Sequence, residues 1–225
     1  MKLTQADLPE SASGMDPLLA LPGVLALAPR GGGLRNSPDN LFKILRDDFR
    51  WRGRLRKNLM SGCVEFNGIE VPEDTGPPLV QNWIADACRV HFRVPETQSQ
   101  MYAVAGLSEY YPVQTYLNGL VWDGEPRIGR ITNALGCANS RLNQRYIRCF
   151  VLSSTARALW PGCQVDSMLV LVGPGGVGKS TFFQDMFGTS WTANSPLPIG
   201  DKDAFLLFTR VWCYVLDEMA SARKA

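Results

Sequence analysis

Residues 173–181 read Gly173-Pro174-Gly175-Gly176-Val177-Gly178-Lys179-Ser180-Thr181, with glycine, lysine and a hydroxyl at the spacing G-x-x-x-x-G-K-[ST]. Glycines let a backbone curl until consecutive N–H groups point inward, where they bind phosphate oxygens. A helix that opens at the end of such a loop adds the positive end of its dipole. Lys179 can then reach the β- and γ-phosphates of a nucleoside triphosphate, and the Ser180 hydroxyl can ligate magnesium. The expected ligands are ATP and Mg2+, bound along the whole loop from Gly173 to Thr181. The alternative is a glycine-rich strand-to-helix turn without a ligand.

A second run, Val211-Trp212-Cys213-Tyr214-Val215-Leu216-Asp217-Glu218, reads as an apolar strand ending in two carboxylates. Asp217 is expected to hold the magnesium shell, and Glu218 to polarise the attacking water, so Lys179 and Glu218 are the candidate catalytic residues. The alternative is a solvated acidic strand tip. GTP chemistry fits poorly, because no Asn-Lys-x-Asp base reader exists and Asp185-Met186-Phe187-Gly188 is wrongly placed for a switch motif. An adjacent Asp-Glu pair favours hydrolysis of the motor-ATPase type over phosphoryl transfer by a small kinase.

These residues need elements to position them. Residues 165–172 read as a buried strand, since 168–172 are continuously apolar, and 180–187 as a helix ended by Gly188. Asp201 can cap a helix over 202–209, and 211–216 form the last strand. Upstream, Asn139 is expected to cap a long helix running to about Trp160, where Pro161-Gly162 stops it. A short helix opens after Pro112, and Trp122-Asp123-Gly124 is a turn. Further back, 41–45 suggest a helix capped by Asp39 or Asn40, and 79–92 and 97–107 two more. Residues 63–71 read as a strand or strand pair with Asn67-Gly68 as the turn.

The chain has 225 residues, 45% apolar and 20% charged, enough for one core and a satellite. Its net charge of +2 means that a nucleic-acid reading must rest on local patches. The six cysteines form no Cys-x-x-Cys pair and there is one histidine, so zinc-site spacing is absent and reduced thiols in a cytoplasmic protein are expected. The apolar stretch 18–28 contains Pro22 and is too short to span a bilayer, so no membrane role is expected and residues 1–40 are read as a flexible entry segment.

Residues 43–57 are strongly basic and interleaved with Phe49 and Trp51, which suits nucleic-acid contact or a solvated helix and turn. Arg141, Arg145 and Arg148 form either a basic helix stripe or a solvated face. Trp122 and Trp160 are expected as core anchors.

Other runs bear a family likeness. Tyr111-Pro112-Val113 with Tyr116-Leu117, and then Leu120-Val121-Trp122-Asp123-Gly124-Glu125-Pro126-Arg127-Ile128, resemble the virulence-associated protein E family. Arg157 with Trp160-Pro161-Gly162, Leu169-Val170-Leu171-Val172-Gly173, Lys202-Asp203 and Trp212 extend the likeness. It covers about 41–225 and is specific from about 108 onward.

The resemblance implies the helicase half of a phage or mobile-element primase–helicase, a hydrolase related to superfamily 3 and AAA+ ATPases. A prophage or genomic-island origin, a homo-oligomeric ring and ATP-driven work on single-stranded or forked DNA follow from it. It carries nucleotide binding onto Gly173, Gly175, Gly176, Gly178, Lys179, Ser180 and Thr181. Glu218 matches the family's acidic position, relatives often have glutamate where Val215 stands, and Asp217 varies among them.

The fold expected is α/β: a P-loop NTPase sheet over 108–225, incomplete at its C-terminus, preceded by a mostly helical accessory domain over 41–107 with a short strand pair. Such ATPases carry a later strand with a sensor residue and an arginine for the neighbouring subunit, which implies a truncated product. The alternative function is a non-hydrolysing nucleotide-binding or interaction remnant that assembles with an intact relative.

Overall fold

Ser37 and Pro38 start the first helix: proline suits a first turn, where its missing N–H is no loss, and the Ser37 hydroxyl accepts from the Asn40 N–H at 3.4 Å. A computed structural model describes residues 2–10, 25–29, 33–194 and 208–216. The chain divides into two compact units, Met1–Tyr111 and Pro112–Ala225.

In the first unit, helix α1 spans Pro38–Asp47 and buries Leu41, Ile44 and Leu45. Its cap is Ser37 and not the expected Asp39 or Asn40, because Asn40 is used elsewhere. The Asn40 side chain is buried, accepts from the Ala26 N–H at 2.8 Å, and donates to the Ala26 and Arg35 carbonyls at 2.7 and 2.8 Å. Those bonds hold residues 25–29 against the helix, and Leu3 and Leu25 join the same core.

Strands β1 (Leu55–Asn58), β2 (Val64–Phe66) and β3 (Ile69–Glu70) follow, then α2 (Gly76–Cys88), α3 (Val94–Ala105) and β4 (Glu109–Tyr110). The sheet runs β3-β2-β1-β4, with β1 antiparallel to β2 and parallel to β4. Asn67 and Gly68, with φ of 51° and 82°, supply the two left-handed residues that a tight hairpin turn requires. The expected strand pair is therefore part of a four-stranded mixed sheet whose short strands sit beside the longer helices α1, α2 and α3.

Trp51 lies edge-on to Phe66 and to Trp83, with centroids 5.0 Å away in each case. Beside it, the Asp48 carboxylate accepts from Arg50 Nε at 2.9 Å and Nη2 at 2.7 Å, both side chains being almost fully buried. The basic run 43–57 makes no continuous patch. Lys43 pairs with Asp39, Arg46 with Asp47 and Lys57 with Glu109. Arg56 stacks 3.8 Å over the Tyr110 ring, and Trp51 is core. Most of its charges are engaged within the unit, while Arg52 and Arg54 enter no ion pair among the described residues.

The second unit contains α4 (Pro112–Gly119), α5 (Ile128–Ala134), α6 (Arg141–Leu159), α7 (Lys179–Phe187), β5 (Thr192–Ala193) and β6 (Cys213–Tyr214). Ser140, one residue after the expected Asn139, caps α6 by accepting from the Asn143 N–H at 3.1 Å. β5 and β6 pair in parallel. Phe183, Phe187 and Val215 form the core, with Phe150, Leu169, Leu171 and Trp212 packed on it. The Trp212 indole donates to the Ser154 carbonyl at 3.0 Å, tying the approach to β6 onto α6.

Trp122 and Trp160 are not core anchors: they are 77% and 66% exposed. Among the described residues no helix is long and apolar enough to cross a membrane. The expected helix 202–209 with its cap Asp201 lies largely outside the described residues, as does most of the stretch 18–28.

Candidate functional site

The loop 173–178 delivers the chain into α7, whose first residue is Lys179. Gly176 and Gly178 sit in the left-handed region at φ of 76° and 84°, where a side chain would strain the backbone. Gly175 has neither a left-handed φ nor a neighbour within 4 Å of an added Cβ, so nothing in the loop itself demands glycine there. Lys179 Nζ folds back over the loop and donates to the Gly173 carbonyl at 2.9 Å and the Pro174 carbonyl at 2.7 Å. The ammonium thereby closes the loop from within. Ser180 and Thr181 follow on the first turn of α7, Ser180 half-buried and Thr181 exposed.

Two cavities meet this loop. One, of about 1090 Å³, is lined by Gly173, Pro174, Val177–Lys179 and Thr181, by Asp185 further along α7, and by Leu135–Ala138 after α5. It is large enough for a nucleotide, since small-molecule sites occupy about 300–1,000 Å³. The other, of about 350 Å³, is lined by Lys179 and Ser180 and by Cys213–Leu216 of the β6 strand and its continuation. The first turn of α7 and the strand that leads to Asp217 thus line one cavity. Asp217 and Glu218 themselves lie outside the described residues.

The expected strand 165–172 is corrected. It joins no ladder among the described residues. Leu169 and Leu171 pack on the core, while Met168, Val170 and Val172 are exposed, Val172 by 94%. That alternation is the two-residue period of a strand with one open face. A run apolar at every position signals burial on both sides, and here one side has no cover among the described residues.

Cysteine exposure is graded along the chain. Burial pushes the Cys213 thiol from its ordinary 9.0 up to about 11, whereas Cys137 and Cys149 are exposed and Cys88 is buried. At pH 8, iodoacetamide is expected to modify Cys137 and Cys149 first, with Cys88 and Cys213 following only on unfolding, as peptide mass spectrometry would show. Between pH 9.0 and about 11 the unfolded Cys213 thiol ionises before the folded one, so the second unit loses stability as pH rises through that window. The exposure of Cys137 is no site signal in the sequence; it becomes one because the turn after α5 and the glycine-rich loop line one cavity.

The fold and site define an α/β unit in which a glycine-rich loop opens a helix beside a short parallel sheet. Residues 117–225 match the model of the virulence-associated protein E-like domain, the family that the motifs from Tyr111 onward resemble. No curated protein shows a significant match to the chain.

Proposed function

We propose that this chain is the ATP-binding module of a DNA-replication motor of the helicase type, built on a P-loop NTPase sheet. The observation that carries the reading is the Lys179 ammonium folded over the Gly173 and Pro174 carbonyls at the mouth of a helix. Such a group is poised to exchange two carbonyl oxygens for phosphate oxygens. The domain match over 117–225 supports the same reading.

In it, the backbone N–H groups of the loop and Lys179 hold the phosphates, and the Ser180 hydroxyl and Asp217 hold magnesium. Glu218 orients the attacking water. Magnesium supplies charge neutralisation between the phosphates when bound. DNA and a ring of identical subunits are the partners proposed for the working motor.

Cys137 offers a direct test, because it is exposed and lines the same cavity as Lys179. Saturating Mg-ATP is expected to slow its alkylation by about 10-fold, and AMP to leave it unchanged. An unchanged rate with ATP demonstrably bound would place the nucleotide elsewhere. Glu218→Gln is expected to stop DNA-stimulated hydrolysis while leaving Mg-ATP binding intact; hydrolysis that survives it would remove Glu218 from its role.

A further inference from the structure

Helix α6 presents Arg141, Arg145 and Arg148 at intervals of four and three residues, so they form one stripe along the helix. All three are exposed, and none takes part in an ion pair among the described residues. The stripe forms one wall of a groove of about 870 Å³ whose other wall is Trp122 and Pro126, with Leu152 extending the helix side.

The two carboxylates on that opposite segment are already engaged. Asp123 accepts from Arg127 Nη1 at 2.8 Å, and Glu125 accepts from Arg130 Nη2 at 2.9 Å. The groove therefore keeps the positive charge of the α6 stripe uncompensated. Trp122 is 77% exposed, with its indole N–H directed at the Glu125 carbonyl 3.5 Å away. A large apolar ring left in water beside three free guanidinium groups is costly for a surface without a ligand.

We infer that this groove binds single-stranded DNA, with the α6 arginines on consecutive phosphates and a base stacked on Trp122. Four residues of helix rise by about 6 Å, so Arg141 and Arg145 can address neighbouring phosphates of an extended strand. A duplex holds its bases in the stack and offers no face to Trp122, which selects the single strand. The choice of DNA over RNA rests on the function proposed above; the groove itself is separate from the nucleotide loop.

Anisotropy of a fluorescein-labelled dT20 titrated with the full chain, without nucleotide, tests this. Saturable binding is expected, falling with salt at a log–log slope of about −2 for three phosphate contacts. The variant R141Q/R145Q/R148Q is expected to weaken binding at least 10-fold and flatten that slope, and Trp122→Ala to weaken it about 10-fold with the slope kept. Far-UV circular dichroism checks that each variant is folded, and R141K/R145K/R148K, which keeps the charge, is expected to restore binding.

Wild-type affinity in the glutamine variant, or equal affinity for a blunt duplex of the same length, would overturn the proposal. An rU20 strand that binds more tightly than dT20 would overturn the choice of DNA. Lys179→Ala is expected to bind dT20 like the wild type. In the unsubstituted chain, dT20 binding without Mg-ATP binding would sink the nucleotide reading alone, and Mg-ATP binding without dT20 binding would sink this one alone.

Discussion

Replacing Lys179 by alanine is expected to weaken Mg-ATP binding about 100-fold, read by calorimetry. The ammonium is held by two carbonyl oxygens at 2.9 and 2.7 Å, and a triphosphate offers it charged acceptors instead. Hydrogen bonds to charged groups contribute about 1.5–3 kcal/mol, and about 3 kcal/mol is two orders of magnitude in affinity. Lys179→Arg should fall between, because a planar fork replaces a compact charge that can turn toward several oxygens. The alanine variant loses two hydrogen bonds on an exposed loop, so its melting temperature should move by only a few degrees. Wild-type affinity in the alanine variant would show that the nucleotide does not use this loop.

The largest expected effect on stability lies in the other unit. Asp48→Ala is expected to destabilise the first unit by about 3–5 kcal/mol, because it leaves a buried guanidinium without its counter-charge. The carboxylate accepts from the Arg50 backbone N–H at 2.9 Å as well as from Nε and Nη2. Arg50 also lies 4.8 Å over the Trp83 ring, and its Nη1 has no hydrogen-bond partner among the described residues. The group has no route to water without opening the core around Trp51. In urea the unfolding midpoint should drop by about 2 M for a slope near 2 kcal/mol per M. The double change Asp48→Leu with Arg50→Met is expected to recover most of the loss, since apolar side chains of similar volume can replace a buried pair at little cost. A single-variant loss below about 1 kcal/mol would mean that the pair is solvated in solution.

Much of this architecture could be read from residue patterns whose meaning is local. Asn67-Gly68 announces its own turn because two consecutive left-handed residues tolerate little else. Helix α6 is legible from its apolar spacing and from Pro161-Gly162 beyond its end. Its cap was placed one residue early, because the Asn139 side chain accepts instead from Thr132 and Gln144. Where tertiary partners decide, the patterns mislead. β1 hides in a basic run because Arg56 and Lys57 find their partners in Tyr110 and Glu109, far along the chain. The tryptophans at 122 and 160 look like core from their chemistry, and nothing in their local sequence tells whether a neighbour covers them.

At the candidate site, the turn into α7 could be read, because Gly176 and Gly178 act through backbone geometry and Lys179 through a single side chain. Asp217 and Glu218, outside the described residues, rest on the direction of the strand that precedes them. The Arg141–Arg145–Arg148 stripe is visible as a spacing, but its likeness to a solvated face is broken only by the groove and by the exposed Trp122 across it.

The most direct test of the central claim is calorimetric titration of the 225-residue chain with Mg-ATP and, separately, with AMP. Binding through the phosphates predicts a single saturable site for Mg-ATP and none for AMP over the same range. Equal affinity for both would mean that the base carries the interaction and the loop does not, and absence of binding to either would contradict the assignment of residues 173–181 as a nucleotide site.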